Sequence, residues 1–400
     1  MLNKEKRTKK VMKKKATKKR ILIVNYEYPP LGGGGGVASH DLAKEWAKTC
    51  DVDVLTSAYG DTPLFEKSDG CKIYRVNVWN RNSRDAASML SMFSYVLFAF
   101  FKGISLIRNK RYDIINTHFA IPSGPLGVAL SFLFRIPNVL SIHGGDIYDP
   151  SKKLSPHRSF ILRLVVKAVL NCSHRIVAQS SNTRDNAIKY YHPKKKIDIV
   201  PLAFHVPEKC KKKYKMPFSG KKDFVLVTIG RLVKRKAIIT MIDAMANLRD
   251  DDVKLCILGD GPERSELQAR VDYHNLNKHV FFGGFVEDYE KFSCLAQAKC
   301  FIMTSLHEGF GIVFMEAMNA GLPIISTNYG GQTDFLFNGK NAVLINVGDV
   351  EACAAAIKKI KTNKKFYDLL SATNKKDIKK FMAPNIAEQY TKIFKEIEKV

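Results

Sequence analysis

The chain has 400 residues, a length that allows two or three domains. Hydrophobic residues make up 46% and charged residues 26%, which is ordinary for a folded globular protein and excludes a collagenous, coiled-coil or wholly disordered chain. The net charge of +27 is concentrated in residues 1–20, with +10, and residues 151–222, with +15. This placement suits an anionic membrane surface or acidic ligands better than a nucleic-acid duplex, so no specific nucleic-acid partner is expected. Solvated lysine explains it equally well.

The basic segment at 1–20 is predicted to be a disordered tail. It lacks the apolar core and cleavage site of a signal peptide. The eight cysteines form no Cys-x-x-Cys pair and have no dense regular spacing, which indicates a reducing compartment. We therefore expect a cytoplasmic protein, with peripheral attachment to the inner face of a membrane as a further expectation from the basic tail.

Short β-branched runs then alternate with longer amphipathic stretches, a pattern typical of parallel sheets covered by helices. Seven strands are predicted in the first half, at 21–25, 52–56, 73–76, 113–117, 139–142, 175–179 and 197–200. Five more are predicted in the second half, at 224–229, 253–258, 280–282, 300–304 and 324–327.

The two series of strands predict two domains. Residues 206–222 separate them and are predicted to be a linker, because they contain prolines and lysines but no periodic apolar run. The sequence thus predicts an α/β protein with Rossmann-like domains at 21–205 and 223–384. Apolar residues at helical spacing predict a final helix at 385–400 that packs back on the first domain.

One segment of the first half, residues 86–101, contains no charge and ends in four consecutive residues of which three are Phe. Sixteen residues are fewer than the roughly twenty that span a bilayer. We expect a buried helix here, with an interfacial helix that docks on lipid as the alternative.

Two motifs of the first half follow predicted strands. Gly32–Gly36 opens a helix, and a loop without Cβ atoms can present its N–H groups to an anion or sugar at the helix N-terminus. It is not a P-loop, because no Gly-Lys-Ser/Thr follows, and a plain turn is the alternative. His143, within Ser-Ile-His-Gly-Gly-Asp, is predicted to face the cleft between the domains. For His118, after an earlier strand, a capping or core role is as plausible as a functional one.

Cations follow the first strand of the second half. Arg231 and Lys236 could neutralise a diphosphate, since Arg offers a planar fork for phosphate oxygens and Lys a point charge. Lys234 and Arg235 are predicted to be solvated. Glycine turns after the next two strands, at 259–261 and 283–284, resemble the walls of a nucleotide pocket.

The most specific motif is the run from Glu308 to Glu316. Gly309 and Gly311 place Glu308 on a loop, and the next helix is predicted to begin near Ile312. The two carboxylates can therefore bind different parts of one ligand. Carboxylates suit sugar and ribose hydroxyls, because they accept charge-assisted hydrogen bonds.

In order and spacing these motifs resemble the retaining nucleotide-sugar-dependent glycosyltransferases of family four, which have the GT-B fold of two Rossmann-like domains facing a central cleft. The resemblance spans about residues 20–400 and includes Gly330-Gly331. It implies that Arg231 and Lys236 neutralise the donor diphosphate, that Glu308 holds the donor sugar and that Glu316 binds the ribose. The chain departs from the family pattern at Ala237, where glycine is usual, and at Asp334, where glutamate is usual.

These considerations define the predicted site. The predicted catalytic residues are His143, Arg231, Lys236 and Glu308, and Asp146 is predicted to bind the acceptor. The residues predicted to bind the donor are Gly34, Gly35, Gly36, Gly230, Gly259, Val286, Gly309, Phe310, Gly311 and Glu316.

The implied reaction is transfer of a sugar, with retention, from a nucleoside-diphosphate sugar to a hydroxyl of a saccharide or lipid-linked acceptor in cell-surface polysaccharide or glycolipid synthesis. A UDP-linked donor is expected. No metal or other cofactor is expected, because the two cations can take up the diphosphate charge. The alternatives are a GT-B nucleotide-sugar epimerase or phosphorylase, and a non-catalytic protein that binds membranes or nucleic acid.

Overall fold

The structure, a computed structural model, describes residues 18–398 apart from 82–86, 152–154, 207–213, 215, 219 and 221. Nearly all of the predicted tail and much of the predicted linker at 206–222 lie outside the described residues. Arg20, assigned to the tail from the sequence, is the first residue of the first strand.

The first domain is built on an eight-stranded sheet in which one edge strand is antiparallel and the others are parallel. In chain order its strands are β1 (Arg20–Asn25), β2 (Asp51–Ser57), β3 (Phe65–Ser68), β4 (Cys71–Val76), β5 (Ile114–His118), β6 (Asn138–Ile142), β7 (Arg175–Ala178) and β8 (Ile197–Ile199). They lie in the order β3-β4-β2-β1-β5-β6-β7-β8. The helices between them are α1 (Gly34–Trp46), α2 (Met89–Asn109), α3 (Ser123–Phe134), α4 (Phe160–Cys172) and α5 (Ser181–Tyr191).

The second domain is built on a six-stranded parallel sheet. Its strands are β9 (Phe224–Ile229), β10 (Val253–Leu258), β11 (Val280–Gly284), β12 (Cys300–Met303), β13 (Ile324–Thr327) and β14 (Ala342–Ile345). They lie in the order β11-β10-β9-β12-β13-β14. The remaining helices are α6 (Ile238–Leu248), α7 (Arg264–Tyr273), α8 (Asp288–Gln297), α9 (Ile312–Ala320), α10 (Val350–Thr362), α11 (Lys364–Asp377) and α12 (Ala383–Ile397).

Helices cover both faces of each sheet. In β1, Ile21 and Ile23 pack with residues of α1 and α12, whereas Leu22 and Val24 pack with residues of α2 and α3. Central strands that are buried on both faces have nearly continuous apolar sequences, and this is why the strands could be predicted from the sequence.

The chain crosses between the domains twice, and the two crossing segments are hydrogen bonded to each other. The backbone N–H of Phe204 donates to the carbonyl of Phe381 at 2.9 Å, and the N–H of Ala383 donates to the carbonyl of Phe204 at 2.9 Å. Beyond this point α12 packs on the first domain, where the Tyr390 ring lies 5.7 Å from the Trp46 ring. The last helix therefore contributes to the core of the first domain.

The predicted α/β architecture of two Rossmann-like domains is confirmed. Each of the twelve predicted strands is present, with bounds within two residues of those expected. The sequence interpretation missed β3 and β14. Strand β3 has the sequence Phe-Glu-Lys-Ser and lies at the antiparallel edge, where no apolar run is needed. Strand β14 is a four-residue apolar run at one edge of the sheet in the second domain.

Helix α2 contains most of the uncharged segment 86–101 and is longer than expected. It has 21 residues. Among the helices in the described part of the chain, it is the one that is long and apolar enough to span a membrane. The prediction that this segment is too short to span a bilayer was therefore wrong about the length of the helix. Tyr95 and Ala99 are fully buried against the sheet, while Phe93 and Phe101 on the other side are exposed. The expectation of a buried helix holds for one face of α2.

Candidate active site

The first turns of two helices meet between the domains. Helix α1 begins at Gly34 in the first domain, and α9 begins at Ile312 in the second. The two are so close that a Cβ atom on Gly34 would lie 2.8 Å from Cγ2 of Ile312. The first N–H groups of a helix have no partner within the helix, and the helix dipole is positive at this end. Two such ends side by side favour an anionic ligand such as a diphosphate.

A largely buried cluster of charges joins the loop before α9 to the turn before α6. The Nζ atom of Lys236 is 2.8 Å from Oε1 of Glu308, and Nη1 of Arg235 is 3.1 Å from the same oxygen. Arg235 also donates to the carbonyl oxygen of His307 at 2.6 Å. Burial raises the pKa of Glu308, but the charges of Arg235 and Lys236 outweigh burial and hold the pKa below its usual range. The cluster therefore contains an ionised carboxylate.

The charge cluster corrects one prediction. Arg235 is not solvated, because its side chain is 25% exposed and paired with Glu308. Lys234 is exposed, as expected, and Arg231 is exposed on the loop that follows β9. Lys234–Lys236 form a 3₁₀ turn, in which neighbouring side chains point about 120° apart. Arg235 and Lys236 therefore turn towards Glu308 while Lys234 stays exposed.

The glycine turns at the ends of β9, β10 and β11 pack closely. A Cβ atom on Gly259 would lie 2.0 Å from the carbonyl oxygen of Gly230, so the backbones of the two turns touch. Gly259 also donates its N–H to Gly284 at 2.6 Å. Val286 lies just beyond, half-buried against the core. Close packing alone accounts for Gly259, and its role in donor binding stays a prediction.

Glu316 lies in the second turn of α9 and is almost fully buried. Its Oε1 accepts from Nζ of Lys291 in α8 at 2.6 Å. Its Oε2 is buried and has no hydrogen-bond partner within the described part of the chain. Burial raises the pKa of Glu316, and the charge of Lys291 opposes that rise. The free oxygen can accept a hydrogen bond from a ligand hydroxyl.

The motif loop Glu308–Gly311 contacts the first domain at Gly309. A Cβ atom on Gly309 would lie 2.6 Å from the carbonyl oxygen of His143. Ser180 Oγ, at the start of α5, donates to the carbonyl of Gly309 at 2.7 Å. Only glycine fits this close approach of two backbones. The cleft is therefore closed at the motif loop.

Phe310, in the same loop, turns its side chain away from the cleft. The ring is buried and packs at a tilt against Phe335, with a centroid distance of 4.7 Å. Contact of Phe310 with a donor would have to come from its backbone.

His143 and Asp146 lie on the loop after β6. Asp146 accepts from the backbone N–H of His143 at 2.9 Å through Oδ1 and from that of Ala120 at 2.6 Å through Oδ2. Asp146 is thus placed to position the His143 loop, and its acceptor role stays a prediction. Burial raises the pKa of Asp146 to about 6, although backbone N–H groups oppose that rise. The His143 side chain lies against Gly35 of α1, so the structure brings together the histidine and the glycine motif.

Known proteins share these features. Residues 32–205 match a family profile described as "Glycosyltransferase Family 4", and residues 211–377 match one described as "Glycosyl transferases group 1". The two matches follow each other and correspond to the two domains. The chain is 25% identical over 397 residues to an uncharacterized glycosyltransferase of Methanocaldococcus jannaschii. The alignment covers 94% of this chain and 98% of the relative.

Solved structures share the architecture. Sucrose-phosphate synthase from Thermosynechococcus elongatus aligns with a TM-score of 0.80 at 21% identity, over 95% of this chain and 99% of the other. HepE from Anabaena, solved in complex with UDP-glucose, aligns with a TM-score of 0.73 at 20% identity, over 94% of this chain and 99% of the other. The chain belongs to glycosyltransferase family four.

The predicted family, the GT-B fold and the glycosyltransferase activity are thereby confirmed. The roles of individual residues in this glycosyltransferase remain predictions. The structure adds polar residues that sequence reasoning did not place at the site, namely Arg235, Lys291, Ser180 and Ser181. It also places His118, whose role the sequence left open, in contact with His143. Arg235 lies in a motif that the sequence already assigned to the site, and its position next to Lys236 was the signal that could have identified it. The partners of the others come from distant parts of the chain, and one sequence carries no signal for such pairs.

Proposed function

We propose that the enzyme transfers a sugar from a UDP-sugar to a hydroxyl of a saccharide or lipid-linked acceptor, with retention of the anomeric configuration. The observation that carries this proposal is the charge cluster of Arg235, Lys236 and Glu308, in which Glu308 belongs to the loop that leads into α9, whose first turn meets that of α1. Cations and helix N-termini together supply the environment that a diphosphate leaving group requires.

In the proposed step the acceptor oxygen bonds to the anomeric carbon while the bond from that carbon to the diphosphate oxygen breaks on the same face. The diphosphate leaves with the bonding electron pair, and one of its oxygens takes the proton of the acceptor hydroxyl. Lys236 and Arg231 stabilise the negative charge that grows on the leaving group. These two cations carry the neutralisation, and the proposal includes no metal ion.

Other residues hold the substrates. Glu308 binds hydroxyls of the donor sugar, and the free Oε2 of Glu316 accepts from a ribose hydroxyl. Burial lowers the pKa of His143 to about 4, so at neutral pH this residue is an uncharged, weak base. His143 therefore orients a substrate hydroxyl and is not the sole base. The complex of HepE with UDP-glucose, in the same fold, supports UDP as the nucleotide.

A surface of the first domain supports a lipid-linked acceptor. Helices α2, α3 and α4 lie side by side on one face of the sheet and expose an unusual number of large apolar side chains. We define this surface as the apolar face; its residues are Met89, Leu90, Phe93, Leu97, Phe101, Phe132, Leu133, Phe160, Ile161 and Leu164. Exposed apolar patches of this kind mark interaction sites.

The charge of the three helices indicates the partner of the apolar face. None of the three sequences contains Asp or Glu, whereas they include Lys102, Arg108, Arg163 and Lys167. Basic residues around an apolar surface are attracted to anionic lipid headgroups, by about 1 kcal/mol each. We propose that the enzyme is cytoplasmic and attaches peripherally to an anionic membrane through this face, in cell-surface polysaccharide or glycolipid synthesis. The seven cysteines in the described residues are free thiols, which suits a reducing compartment.

A donor screen tests the reaction. The whole chain is incubated with UDP-glucose, UDP-galactose, UDP-N-acetylglucosamine, ADP-glucose or GDP-mannose and a panel of glycosides. Products are identified by mass spectrometry, and their anomeric configuration is determined by proton NMR. We expect release of UDP with a new glycoside whose anomeric proton coupling matches that of the α-linked donor. An inverted product would refute retention. An epimerised donor with no glycoside would favour the epimerase alternative.

A further inference from the structure

A continuous chain of buried hydrogen bonds connects α12 to His143. The hydroxyls of Tyr390 and Ser141 are 2.9 Å apart, and Asn116 Nδ2 is 3.2 Å from Ser141 Oγ. Asn116 Oδ1 is 2.8 Å from Nε2 of His118, and His118 Nδ1 is 3.0 Å from Nε2 of His143. The first four members of this chain are at most 4% exposed. These groups are therefore shielded from bulk water and rely on one another for hydrogen bonds.

Asn116 fixes which groups donate and which accept along this chain of hydrogen bonds. Its other contact is the backbone carbonyl of Val139, 3.0 Å from Nδ2, and a carbonyl can only accept. The amide nitrogen must therefore face Val139, and the amide oxygen must face His118. Because this oxygen accepts, Nε2 of His118 carries the hydrogen.

The donor and acceptor atoms of both histidines follow from this assignment. A neutral imidazole has one N–H group, so Nδ1 of His118 is an acceptor and Nε2 of His143 donates to it. Burial lowers the pKa of both histidines, and each histidine is neutral at pH 7. The hydrogen of His143 is thus on Nε2, and Nδ1 has only its lone pair.

The Nδ1 atom of His143 faces the glycine motif. It is buried, makes no hydrogen bond of standard geometry among the described residues, and would lie 3.1 Å from a Cβ atom on Gly35. The side chain of Gln179 lies beside the ring and partly opposes the fall in the pKa of His143 that burial causes. The ring is held on its face by Phe119, at a centroid distance of 4.4 Å. The backbone carbonyl of His143 is held by the side-chain amide of Gln179. A fixed acceptor atom therefore points at the wall that the first domain contributes to the cleft.

We propose that His118 is a positioning residue that holds His143 as the Nε2–H tautomer, so that His143 presents the Nδ1 lone pair to a substrate hydroxyl. The identity of that hydroxyl as part of a sugar rests on the proposed function, whereas the tautomer does not. His143 then accepts a hydrogen bond and cannot act as a proton donor through Nδ1. The site selects a ligand with a hydroxyl at this position over one with an ether or carbonyl oxygen, which would face a second lone pair.

Nitrogen NMR tests the tautomer directly. The whole chain is labelled with ¹⁵N-histidine, and long-range proton–nitrogen correlation spectra are recorded from pH 6 to 8. His143→Gln and His118→Asn assign the two rings. We expect protonated Nε2 and unprotonated Nδ1 on both residues, with no change over this range. A protonated Nδ1 on His143, or two protonated nitrogens at pH 7, would overturn the proposal.

Two substitutions test the positioning role. In His118→Asn the amide oxygen can occupy the place of Nδ1 and accept from His143, whereas His118→Leu leaves no acceptor. We expect turnover of a UDP-sugar to fall about 10- to 100-fold in His118→Leu, the scale for loss of an outer hydrogen-bond partner, and within about threefold of wild type in His118→Asn. In His118→Leu, His143 should show a mixture of tautomers, while thermal unfolding of this variant stays cooperative.

The outcomes separate this inference from the proposed function. Equal turnover in wild type, His118→Asn and His118→Leu would refute a positioning role for His118. If wild type turned over none of the nucleotide sugars, the proposed function would fail, and the nitrogen spectra would still decide the tautomer.

Discussion

The carboxylate of Asp334 in the second domain accepts a hydrogen bond from the backbone N–H of Ser181 in the first, at 2.6 Å across the cleft, and the Ser181 hydroxyl also donates to it. Ser181 is the first residue of α5, where free N–H groups and the helix dipole favour a negative charge. Asp334 is also where the family usually has glutamate. The shorter side chain thus joins the two domains next to Gly309.

Asp334→Ala tests whether this contact keeps the cleft closed. We expect a larger radius of gyration in X-ray scattering and hydrogen exchange about tenfold faster at 308–311, corresponding to about 1.4 kcal/mol for a lost charged hydrogen bond. UDP should restore compactness and protect both Gly32–Gly36 and Glu308–Gly311. Asp334→Asn, which can still accept, is the control. An unchanged radius and exchange rate in the alanine variant would show that other contacts close the cleft.

Arg231→Ala and Lys236→Ala test the diphosphate assignment. Each should lower kcat by about two to three powers of ten, the scale for removal of a preorganised charge stabiliser, while the fold persists. Lys234→Ala is the matched control, because Lys234 belongs to the same basic run and is exposed, as Arg231 is, but is not assigned to the diphosphate. Release of UDP, followed by a coupled assay, measures the rate. Near wild-type rates in both variants would mean that other groups hold the diphosphate.

Lys291→Met tests the buried pair with Glu316. Without the ammonium group the carboxyl loses its partner at 2.6 Å, its pKa rises further and it binds a ribose hydroxyl less well. We expect the dissociation constant of UDP, measured by calorimetry, to rise about tenfold, with kcat at saturating donor nearly unchanged. Lys299→Met, an exposed lysine of the same domain, should bind UDP as wild type does. A fall in kcat alone would contradict a role in ribose binding.

The histidine pair predicts loss of stability in acid. Burial lowers the pKa of His143 to about 4 and that of His118 well below its usual value, whereas the unfolded chain takes up protons near 6.5. The free energy of unfolding should therefore fall as the pH drops from about 6.5 towards 4, by about 1 to 3 kcal/mol for His143, and should not depend on these groups above about pH 7. Urea denaturation at several pH values measures this. His118→Asn should have a shallower slope, and curves that coincide would count against the prediction.

Combined Phe93→Ser, Phe132→Ser and Phe160→Ser substitutions test the apolar face. Co-sedimentation with vesicles of phosphatidylglycerol and phosphatidylcholine should fall at least tenfold, since each exposed ring loses about 1.5 kcal/mol or more of burial in lipid. Leu369→Ser, which is exposed on the second domain, is the control.

The same assay separates the charge contribution. Capture of the wild type should weaken as salt rises and when residues 1–17 are removed, a deletion that spares β1. Capture that responds neither to lipid charge nor to salt would leave the basic residues as ordinary solvated side chains.

The elements of the fold were predictable because their signal is local. Strands buried on both faces, such as Phe224–Ile229, have continuous apolar sequences. Glycine motifs such as Gly309 reflect a backbone contact that excludes a side chain whichever partner supplies it. The length of α2 was misjudged because the uncharged run ends at Lys102, whereas the helix continues to Asn109 through residues that keep one face apolar.

The pairing of polar groups was not predictable from one sequence. Arg235 and Glu308 are far apart in the chain, and their contact depends on how β9 and β12 lie side by side. Whether a basic residue of a short run points inward depends on the turn it forms. His118 and Asn116 likewise gain their roles only because β5 and β6 are neighbours in the sheet.

The side-by-side crossings at Phe204 and Met382 mean that the first domain is assembled from two separate stretches of chain, with the second domain inserted between them. During synthesis the ribosome delivers residues 383–397 after every strand of the second domain. The second domain can therefore finish folding while the first still exposes Trp46 and the surface that Tyr390 will cover. Chaperones and proteases that act on the nascent chain will meet this unfinished surface until the final helix emerges.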